Sequence, residues 1–311
     1  MTTGRNFEGD SVKGNKRSGG RAILYAVAAA LFYAANMPFS KMLLKVVPAT
    51  MMAGLLYLGA GFGAGAIFLA NAKKTGREAL LSKADLPYAA GMVALDILAP
   101  ISLMYGLSHT TSANASLLNN FEIVATAVIA FALFGEKISK RLWAAILLVT
   151  VSSVILSFEG TSGLRFSRGS VFVLLASVLW GLENNCTRSI AAKNTLEIVA
   201  VKGLCSGAGS LTVGFVLGER LPAPGNIALV MLLGFVAYGL SIFCYLKAQR
   251  TLGAAKTSAY YAIAPFVGAL ASFVLLKERF SAQYLAALIF MLAGSAAATR
   301  DTLRPESARK E

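Results

Sequence analysis

Phe131-Ala-Leu-Phe-Gly-Glu136-Lys137-Ile-Ser139 returns 142 positions later as Phe273-Val-Leu-Leu-Lys-Glu278-Arg279-Phe-Ser281. Each copy is an apolar run closed by an acidic residue, a basic residue and a serine, and a second apolar run follows it. The match extends over residues 113–153 and 255–295. An internal repeat decides an architecture before local motifs do. The chain is therefore predicted to contain, twice, a pair of hydrophobic helices joined by a charged turn.

The composition is typical of a membrane protein. Of the 311 residues, 56% are hydrophobic and 14% charged, and the mean hydropathy is +0.65, well above the balance of a soluble domain. The net charge of +14 does not indicate nucleic-acid binding, because the basic residues lie in short clusters between apolar runs. Three cysteines lie inside apolar segments without metal-ligand spacing, so we expect buried core residues, no metal and no cofactor. They are Cys186, Cys205 and Cys244.

Ten apolar runs are long enough to cross about 30 Å of hydrocarbon as helices. A basic stretch before the first run has the features of a signal peptide, but this run has a partner in the second half and is kept as a span. The predicted fold class is an all-α integral membrane protein with ten transmembrane helices. The runs cover residues 22–45, 49–71, 86–107, 111–134, 140–158, 169–190, 195–217, 226–249, 254–276 and 282–300.

The distribution of Lys and Arg predicts the orientation. An even number of spans places both termini on one side of the membrane. With the termini inside, the inner segments carry 21 Lys and Arg residues and the outer segments carry seven, while Lys202 lies within a span. This bias predicts that both termini are cytoplasmic.

Five spans in each half make the second half enter the membrane from the opposite side. Two inverted repeats are the plan of many secondary transporters, whose substrate site lies near the midplane between the halves. The prediction for the domains is a disordered cytoplasmic tail, a five-helix repeat, an external linker, a second five-helix repeat and a cytoplasmic tail. Their bounds are 1–20, 21–158, 159–168, 169–300 and 301–311.

Three motifs stand out in the second half: Leu179-Trp180-Gly181, Pro265-Phe266 with an apolar run to Glu278, and Gly294 in the last span. With these motifs the sequence resembles the EamA-type repeats of the drug/metabolite transporter superfamily. It is most similar to the ten-span YddG-type amino-acid exporters, over nearly all of residues 20–300. The resemblance implies a bacterial inner-membrane protein that exports amino acids, aromatic or other neutral ones included. The direction of transport rests on the resemblance alone.

Four ionisable residues lie deep within predicted spans, namely Asp96, Glu122, Glu183 and Lys202. Such groups cost about 2.5–3.5 kcal/mol on insertion scales and usually face a cavity or a partner. One interpretation is a zwitterion site, with Lys202 binding a substrate carboxylate and a glutamate binding the amine. The other is a structural ion pair between Lys202 and either Glu183 or Glu122. The sequence leaves both open.

The neighbouring residues indicate different roles for Asp96 and Glu122. Asp96 is interpreted as structural, because Pro100 opposes its carbonyl and a side chain is needed to satisfy the freed groups. Glu122 is interpreted as functional, because Asn119 lies one turn away on the same face. Glu122 also marks a departure from the family pattern, since the first half lacks the proline that Pro265 supplies in the second.

Further candidate substrate-binding residues surround these positions. Asn36 occupies in the first span the place of Glu183 in the sixth. Trp180 either stacks on a substrate side chain or packs in the protein, and Tyr260 and Tyr261 precede the proline that opposes a backbone carbonyl. Candidate hinges are Pro38, Pro100 and Pro265.

The predicted function is export of amino acids or similar small metabolites by alternating access, with a small-molecule substrate and the lipid bilayer as partners. The sequence does not distinguish a facilitator from a proton antiporter. Alternatives are an exporter of cationic drugs, a nucleotide-sugar translocator, and, from another class, a membrane scaffold or an embedded enzyme. An enzyme is not expected, because no nucleophile, base or metal-ligand cluster is evident.

Overall fold

A computed structural model describes residues 7–71, 80–159, 165–279 and 281–303 of the chain. Within these residues, nine helical stretches are long and apolar enough to cross a membrane. The described chain is therefore an all-helical, multi-pass membrane protein apart from one two-residue hairpin. The nine stretches are Gly20–Leu43, Ala49–Ala70, Lys83–His109, Ser112–Leu133, Lys140–Ser157, Thr195–Val216, Pro224–Leu252, Lys256–Leu276 and Ala282–Thr302.

The individual helices are shorter than the spans, because several spans are interrupted. In chain order the helices are α1 (Phe7–Ala34), α2 (Asn36–Leu43), α3 (Ala49–Asn71), α4 (Leu86–His109), α5 (Ser112–Leu118), α6 (Phe121–Phe134), α7 (Lys140–Ser157), α8 (Arg168–Ser189), α9 (Thr195–Val216), α10 (Pro224–Gly234), α11 (Ser241–Leu252), α12 (Ala254–Tyr261), α13 (Ala264–Leu276) and α14 (Ala282–Thr302). A 3₁₀ turn at Lys83–Asp85 precedes α4, and a π-helical segment, Phe235–Leu240, joins α10 to α11.

Helix α8 is the predicted sixth span and is not among the nine apolar stretches. It has 22 residues, enough to cross a bilayer. Its sequence carries Glu183, Asn184, Asn185 and a charged residue near each end. Glu183 is buried, and Asn184 and Asn185 donate hydrogen bonds to Thr126 of α6. These polar side chains therefore face protein, while Val171, Leu175 and Val178 on the same helix are exposed.

The ends of the repeats differ from the sequence prediction. Helical structure begins at Phe7, so most of the tail predicted to be disordered continues the first helix; residues 1–6 lie outside the described part. A helix that already exists extends at one hydrogen bond per residue without a new nucleus. The predicted external linker contains strands β1 (Phe158–Glu159) and β2 (Arg165–Phe166), which pair antiparallel. The described C-terminal part ends at residue 303.

Two of the helix interruptions have a proline as their cause. Pro38 has no N–H for the carbonyl of Ala34, where α1 ends, and Pro265 stands in the same relation to Tyr261, where α12 ends. A third interruption, between α5 and α6, falls at Asn119–Asn120 and involves no proline. Asparagine amides compete with backbone groups for hydrogen bonds, which favours turns. Helix α4, in contrast, runs unbroken through Pro100.

Glycines bring α3 and α9 into close contact. A Cβ added at Gly61 would lie 2.5 Å from the backbone N of Leu204, and one added at Gly203 would lie 2.5 Å from the Cα of Gly61. Small residues thus let the two helix backbones approach closely. Among the cysteines the prediction holds only in part, since Cys244 is buried but Cys205 is exposed. Because α9 borders lipid on that side, an apolar thiol is compatible with exposure.

We expect Gly61→Ala to lower the free energy of unfolding by about 1–3 kcal/mol, because the new methyl group has no space against α9. The matched control is Gly65→Ala on the same helix, where the nearest atom would lie 3.8 Å away. Both changes gain the same helix propensity, so the difference isolates packing. Thermal unfolding in detergent micelles measures it. Equal melting temperatures for the two variants would contradict the close contact.

Candidate substrate-binding cavity

A cavity of about 350 Å³ lies between the middle parts of the helices from both halves. This volume falls within the range of small-molecule pockets. Its wall combines four kinds of group: carboxylates, one ammonium group, amides and aromatic rings. The lining residues are Tyr33, Tyr57, Ala60, Asn119, Asn120, Glu122, Ile123, Trp180, Glu183, Asn184, Val199, Lys202, Gly203, Tyr238, Ile242, Tyr261, Ala262, Ala264 and Pro265.

Lys202 on α9 forms two ion pairs at the cavity wall. Its Nζ lies 3.0 Å from Asp96 Oδ2 on α4 and 3.0 Å from Glu183 Oε1 on α8. The Asp96 and Glu183 side chains are almost fully buried, whereas 24% of the Lys202 side chain is exposed. The Glu183 carboxylate also accepts a hydrogen bond from the Thr187 hydroxyl, one turn further along α8. The three charged residues, here called the charge cluster, join three helices.

Asp96 has a different role from the one inferred from Pro100. Its Oδ1 accepts hydrogen bonds from Tyr57 Oη at 3.0 Å and from Trp180 Nε1 at 3.1 Å, while Oδ2 faces Lys202. Both oxygens thus bind side chains on other helices, and the described structure shows no bond from them to the backbone near Pro100. Asp96 lies behind the cavity wall and orients three side chains that form it.

Glu122 on α6 stands apart from the charge cluster. Its Oε1 accepts a hydrogen bond of 2.7 Å from Asn184 Nδ2, and the same amide donates to Thr126 Oγ1 at 3.2 Å. Within the described ranges, no Lys or Arg forms an ion pair with Glu122. The ion pair between Lys202 and Glu122, one of the two pairings considered from the sequence, is therefore not formed.

Two interrupted helices face each other across the cavity. The break between α5 and α6 contributes Asn119 and Asn120, and the break between α12 and α13 contributes Tyr261 and Ala262. Asn119 donates from Nδ2 to Tyr33 Oη at 3.3 Å. In the described part of the chain, its Oδ1 and the Nδ2 of Asn120 are buried without a hydrogen-bond partner. Buried polar atoms are nearly always paired, so these two atoms are exceptions within the described chain.

Tyrosine rings form a continuous aromatic wall. Tyr33 lies against Tyr238 and Tyr261 with ring centroids 5.7 and 5.6 Å apart, and Tyr57 lies 5.7 Å from Tyr238. Asn36 is buried behind this wall and donates from Nδ2 to Tyr238 Oη at 2.9 Å. These spacings are those of favourable aromatic pairs.

The structure brings most of the sequence candidates together. Those lining the cavity are Lys202, Glu183, Glu122, Asn119, Trp180, Tyr261 and Pro265. Asn36 acts one layer behind, and Tyr260 does not line the cavity but is 37% exposed, so it lies outside the candidate site. Pro38 and Pro100 are buried in α2 and α4 away from the lining.

Sequence reasoning missed several lining residues, namely Tyr33, Tyr57, Tyr238, Asn120 and Asn184. Tyrosines in apolar runs carry no signal that separates a cavity wall from ordinary packing. Asn120 and Asn184 did carry one, since each neighbours a residue already identified, Asn119 or Glu183. No cluster of three or more His, Cys, Asp or Glu residues suitable for a metal ion occurs in the part of the chain that the structure describes.

Known proteins match the chain at the level of sequence family and fold. A family model described as the EamA-like transporter family covers residues 20–158 and 167–300. An uncharacterized transporter of Methanothermobacter thermautotrophicus is 27% identical over 205 residues, 64% of this chain and 60% of that protein. The uncharacterized transporter YyaM of Bacillus subtilis is 23% identical over 177 residues, 54% of this chain and 58% of that protein. The matched region thus spans about three fifths of these relatives.

A solved structure titled "Crystal structure of protein" has a similar fold. It matches with a TM-score of 0.64 and 19% identity, over 90% of this chain and 96% of that chain. At this identity the likeness concerns the fold alone.

We expect Lys202→Met to lower the free energy of unfolding by about 3–5 kcal/mol, because it leaves two buried carboxylates without their counter-ion. Arg188→Met is the control: it breaks an ion pair to Glu136 whose side chains are 62% and 40% exposed, and surface pairs contribute about 0–1 kcal/mol. Denaturation in mixed micelles measures both. A loss for Lys202→Met no larger than that of the control would contradict a buried charge cluster.

Proposed function

We propose that this chain, which belongs to the EamA-like transporter family, moves small organic molecules bearing an amino group across the membrane by alternating access. The observation that supports this best is Glu122, a carboxylate at the cavity wall that forms no ion pair with a Lys or Arg of the described protein. A carboxylate in a water-poor site is costly without a counter-charge. A substrate ammonium group provides that charge and donates to the carboxylate.

The aromatic wall supports the same class of ligand. Tyr33, Tyr238 and Tyr261 present rings beside the carboxylate, and Trp180 closes the wall next to the charge cluster. Such rings bind apolar substrate parts, and their faces attract cations. The Asn119 and Asn120 amides line the same cavity and offer polar groups near the rest of the substrate.

Amino acids, the substrates that the family resemblance implies, are the narrower version of this proposal. Glu122 would bind the amino group, and the carboxylate would have to share Lys202, partly exposed beside the cavity, with Asp96 and Glu183. Export as the direction of transport rests on the resemblance. A nucleotide sugar fits less well, because its phosphates need several cations and Lys202, the only Lys or Arg in the lining, is already paired.

The pairing of the helices supports two inverted five-helix repeats, in which α8 is the sixth of ten spans. Under such a repeat each helix of the first half corresponds to one of the second half, so a contact in one place predicts a matching contact in another. The matching contacts are α4–α8 with α1–α11, α6–α8 with α1–α13, and α4–α9 with α3–α10. The pairs α3–α9 and α7–α14 are their own counterparts. A pseudo-twofold axis through the cavity accounts for all of them.

The two ends of this arrangement differ, as one state of an alternating-access cycle requires. At one end Glu278 accepts hydrogen bonds from the backbone N–H groups of Ser112 and Ala113, at 2.7 and 2.9 Å. Lys41 donates there to the carbonyls of Leu107 and Thr110, at 2.6 and 2.7 Å. The turn between α4 and α5 is thus held by an acid and a base.

At the other end the repeat-related acid and base are Glu136 and Arg188, and these bind each other. They hold no helix turn in this state. The end containing Glu278 is therefore the closed one, and we propose that Glu136 and Arg188 take over the turn between α11 and α12 when the protein changes state. The distribution of Lys and Arg supports a bacterial cytoplasmic membrane with both termini inside, which makes the closed end external.

We expect exchange of labelled phenethylamine in liposomes containing the full-length protein, and a loss of at least about tenfold for Glu122→Gln, because hydrogen bonds to a charged group are worth about 1.5–3 kcal/mol. Glu197→Gln is the matched control. Glu197 is a carboxylate that binds the backbone of Leu81 away from the cavity. Exchange of phenethylamine by Glu197→Gln but not by Glu122→Gln would support the proposed site. Equal exchange by both variants would contradict it.

We expect Glu278→Gln to weaken the closed end, because the neutral amide replaces one of the two acceptor oxygens with a donor. Spin labels at positions 108 and 279, in a background without native cysteines, should show longer distances in this variant than in the unsubstituted chain. Glu197→Gln should leave the distance distribution unchanged. An unaltered distribution in Glu278→Gln would show that this carboxylate does not hold the end closed.

A further inference from the structure

We infer that the cavity selects substrates with a net positive charge, and that Asp96, behind its wall, sets this selectivity. The inference rests on the proposed function, because it assumes that the cavity binds the transported molecule. It narrows the substrate from any molecule with an amino group to organic cations without a carboxylate.

The first argument is the charge of the site. Asp96, Glu183 and Glu122 provide three carboxylates and Lys202 the one ammonium group, a net charge of −2 when all are ionised. Among the described residues that line the cavity, Lys202 is the only basic one. Charges in a site of low dielectric interact more strongly than in water. A cation reduces the imbalance, whereas a zwitterion adds a further carboxylate.

The second argument is the state of Lys202. Two carboxylates already lie 3.0 Å from its Nζ, so its positive charge is already shared by two ion pairs. A substrate carboxylate would have to approach the same ammonium group while lying close to Asp96 and Glu183. The repulsion from those two carboxylates offsets the attraction to one shared ammonium group.

The third argument concerns the wall around Glu122. An ammonium group on this carboxylate would lie beside the rings of Tyr33 and Tyr261, both of which line the same cavity. Aromatic faces favour cations and carry no preference for a carboxylate. The aromatic wall therefore favours a positively charged substrate, as the net negative charge of the site does.

Asp96 controls the balance without touching the substrate. It is fully buried and is not part of the lining. Asparagine at this position keeps an acceptor for Tyr57 and Trp180 and removes one negative charge, which releases Lys202 from one of its two partners. Asp96→Asn should therefore make the cavity more accepting of carboxylates while preserving its shape. This makes Asp96 a positioning residue that also determines specificity.

The experiment uses three probes with the same ring and chain: phenethylamine, phenylalanine and 3-phenylpropanoate, which are a cation, a zwitterion and an anion. Binding to the purified full-length protein is measured by calorimetry in detergent, and exchange is measured in liposomes. For the unsubstituted chain we expect phenethylamine to bind at least about tenfold more tightly than phenylalanine, and 3-phenylpropanoate not to bind, given strong charge interactions in the site. Phenylalanine binding as tightly as phenethylamine would overturn the inference and leave the proposed function standing. Failure of all three to bind or exchange would overturn the proposed function itself.

Asp96→Asn tests the role of this residue. We expect the preference for phenethylamine over phenylalanine to fall by at least about tenfold in this variant. Asp85→Asn is the matched control, since Asp85 pairs with Lys193 at 3.1 Å outside the cavity. An unchanged preference in folded Asp96→Asn, or an equal change in the control, would overturn the role of Asp96. If Asp96→Asn does not fold, the order of the three probes in the unsubstituted protein still decides the charge preference.

Discussion

The ion pairs of Lys202 with Asp96 and Glu183 are the interaction on which the site depends. A lysine in the middle of a span is costly unless it is paired, and a single carboxylate would leave the geometry of its partner undetermined. Two carboxylates from α4 and α8 fix the ammonium group in one place. Because Asp96 also binds Tyr57 and Trp180, the same cluster positions two aromatic side chains of the cavity wall. Glu122 is then the one cavity carboxylate in the described chain without a basic partner.

The cavity exists because the surrounding helices are closely packed elsewhere and interrupted here. Glycines allow α3 and α9 to meet backbone to backbone, which sets Lys202 beside Tyr57. The breaks at Asn119–Asn120 and at Ala262–Ile263 lie beside the cavity, which Asn119, Asn120 and Ala262 line. Backbone interruptions at the depth of the membrane are tolerated where they border a cavity. Glu278 holds the backbone at the start of α5, the helix that leads into the first of these breaks.

The repeated stretch around Glu136 and Glu278 predicts the helical hairpins, and hydropathy predicts the nine stretches of the described chain that are apolar enough to cross a membrane, apart from the breaks within them. The ionisable residues Lys202, Glu183 and Glu122 are identifiable from sequence because hydrocarbon makes them exceptional. Of the two partners of Lys202, Glu183 is one that the sequence suggests. The pairing with Asp96 is not identifiable, since Asp96 is distant in sequence and its nearness to Pro100 suggested a local role. The sequence also does not predict the break at Asn119–Asn120, because this break lacks the proline that is present at its counterpart. The tyrosines require the three-dimensional arrangement, as nothing in an apolar run distinguishes a ring facing a cavity from one facing a helix.

The most direct test of this account is a structure of the full-length protein with 4-bromophenethylamine, in which the bromine identifies the ligand by its anomalous scattering. The account predicts the ammonium group within hydrogen-bond distance of the Glu122 carboxylate and the brominated ring against the tyrosine wall. A ligand whose ammonium group contacts neither Glu122 nor the charge cluster, or that binds outside the cavity, would contradict it.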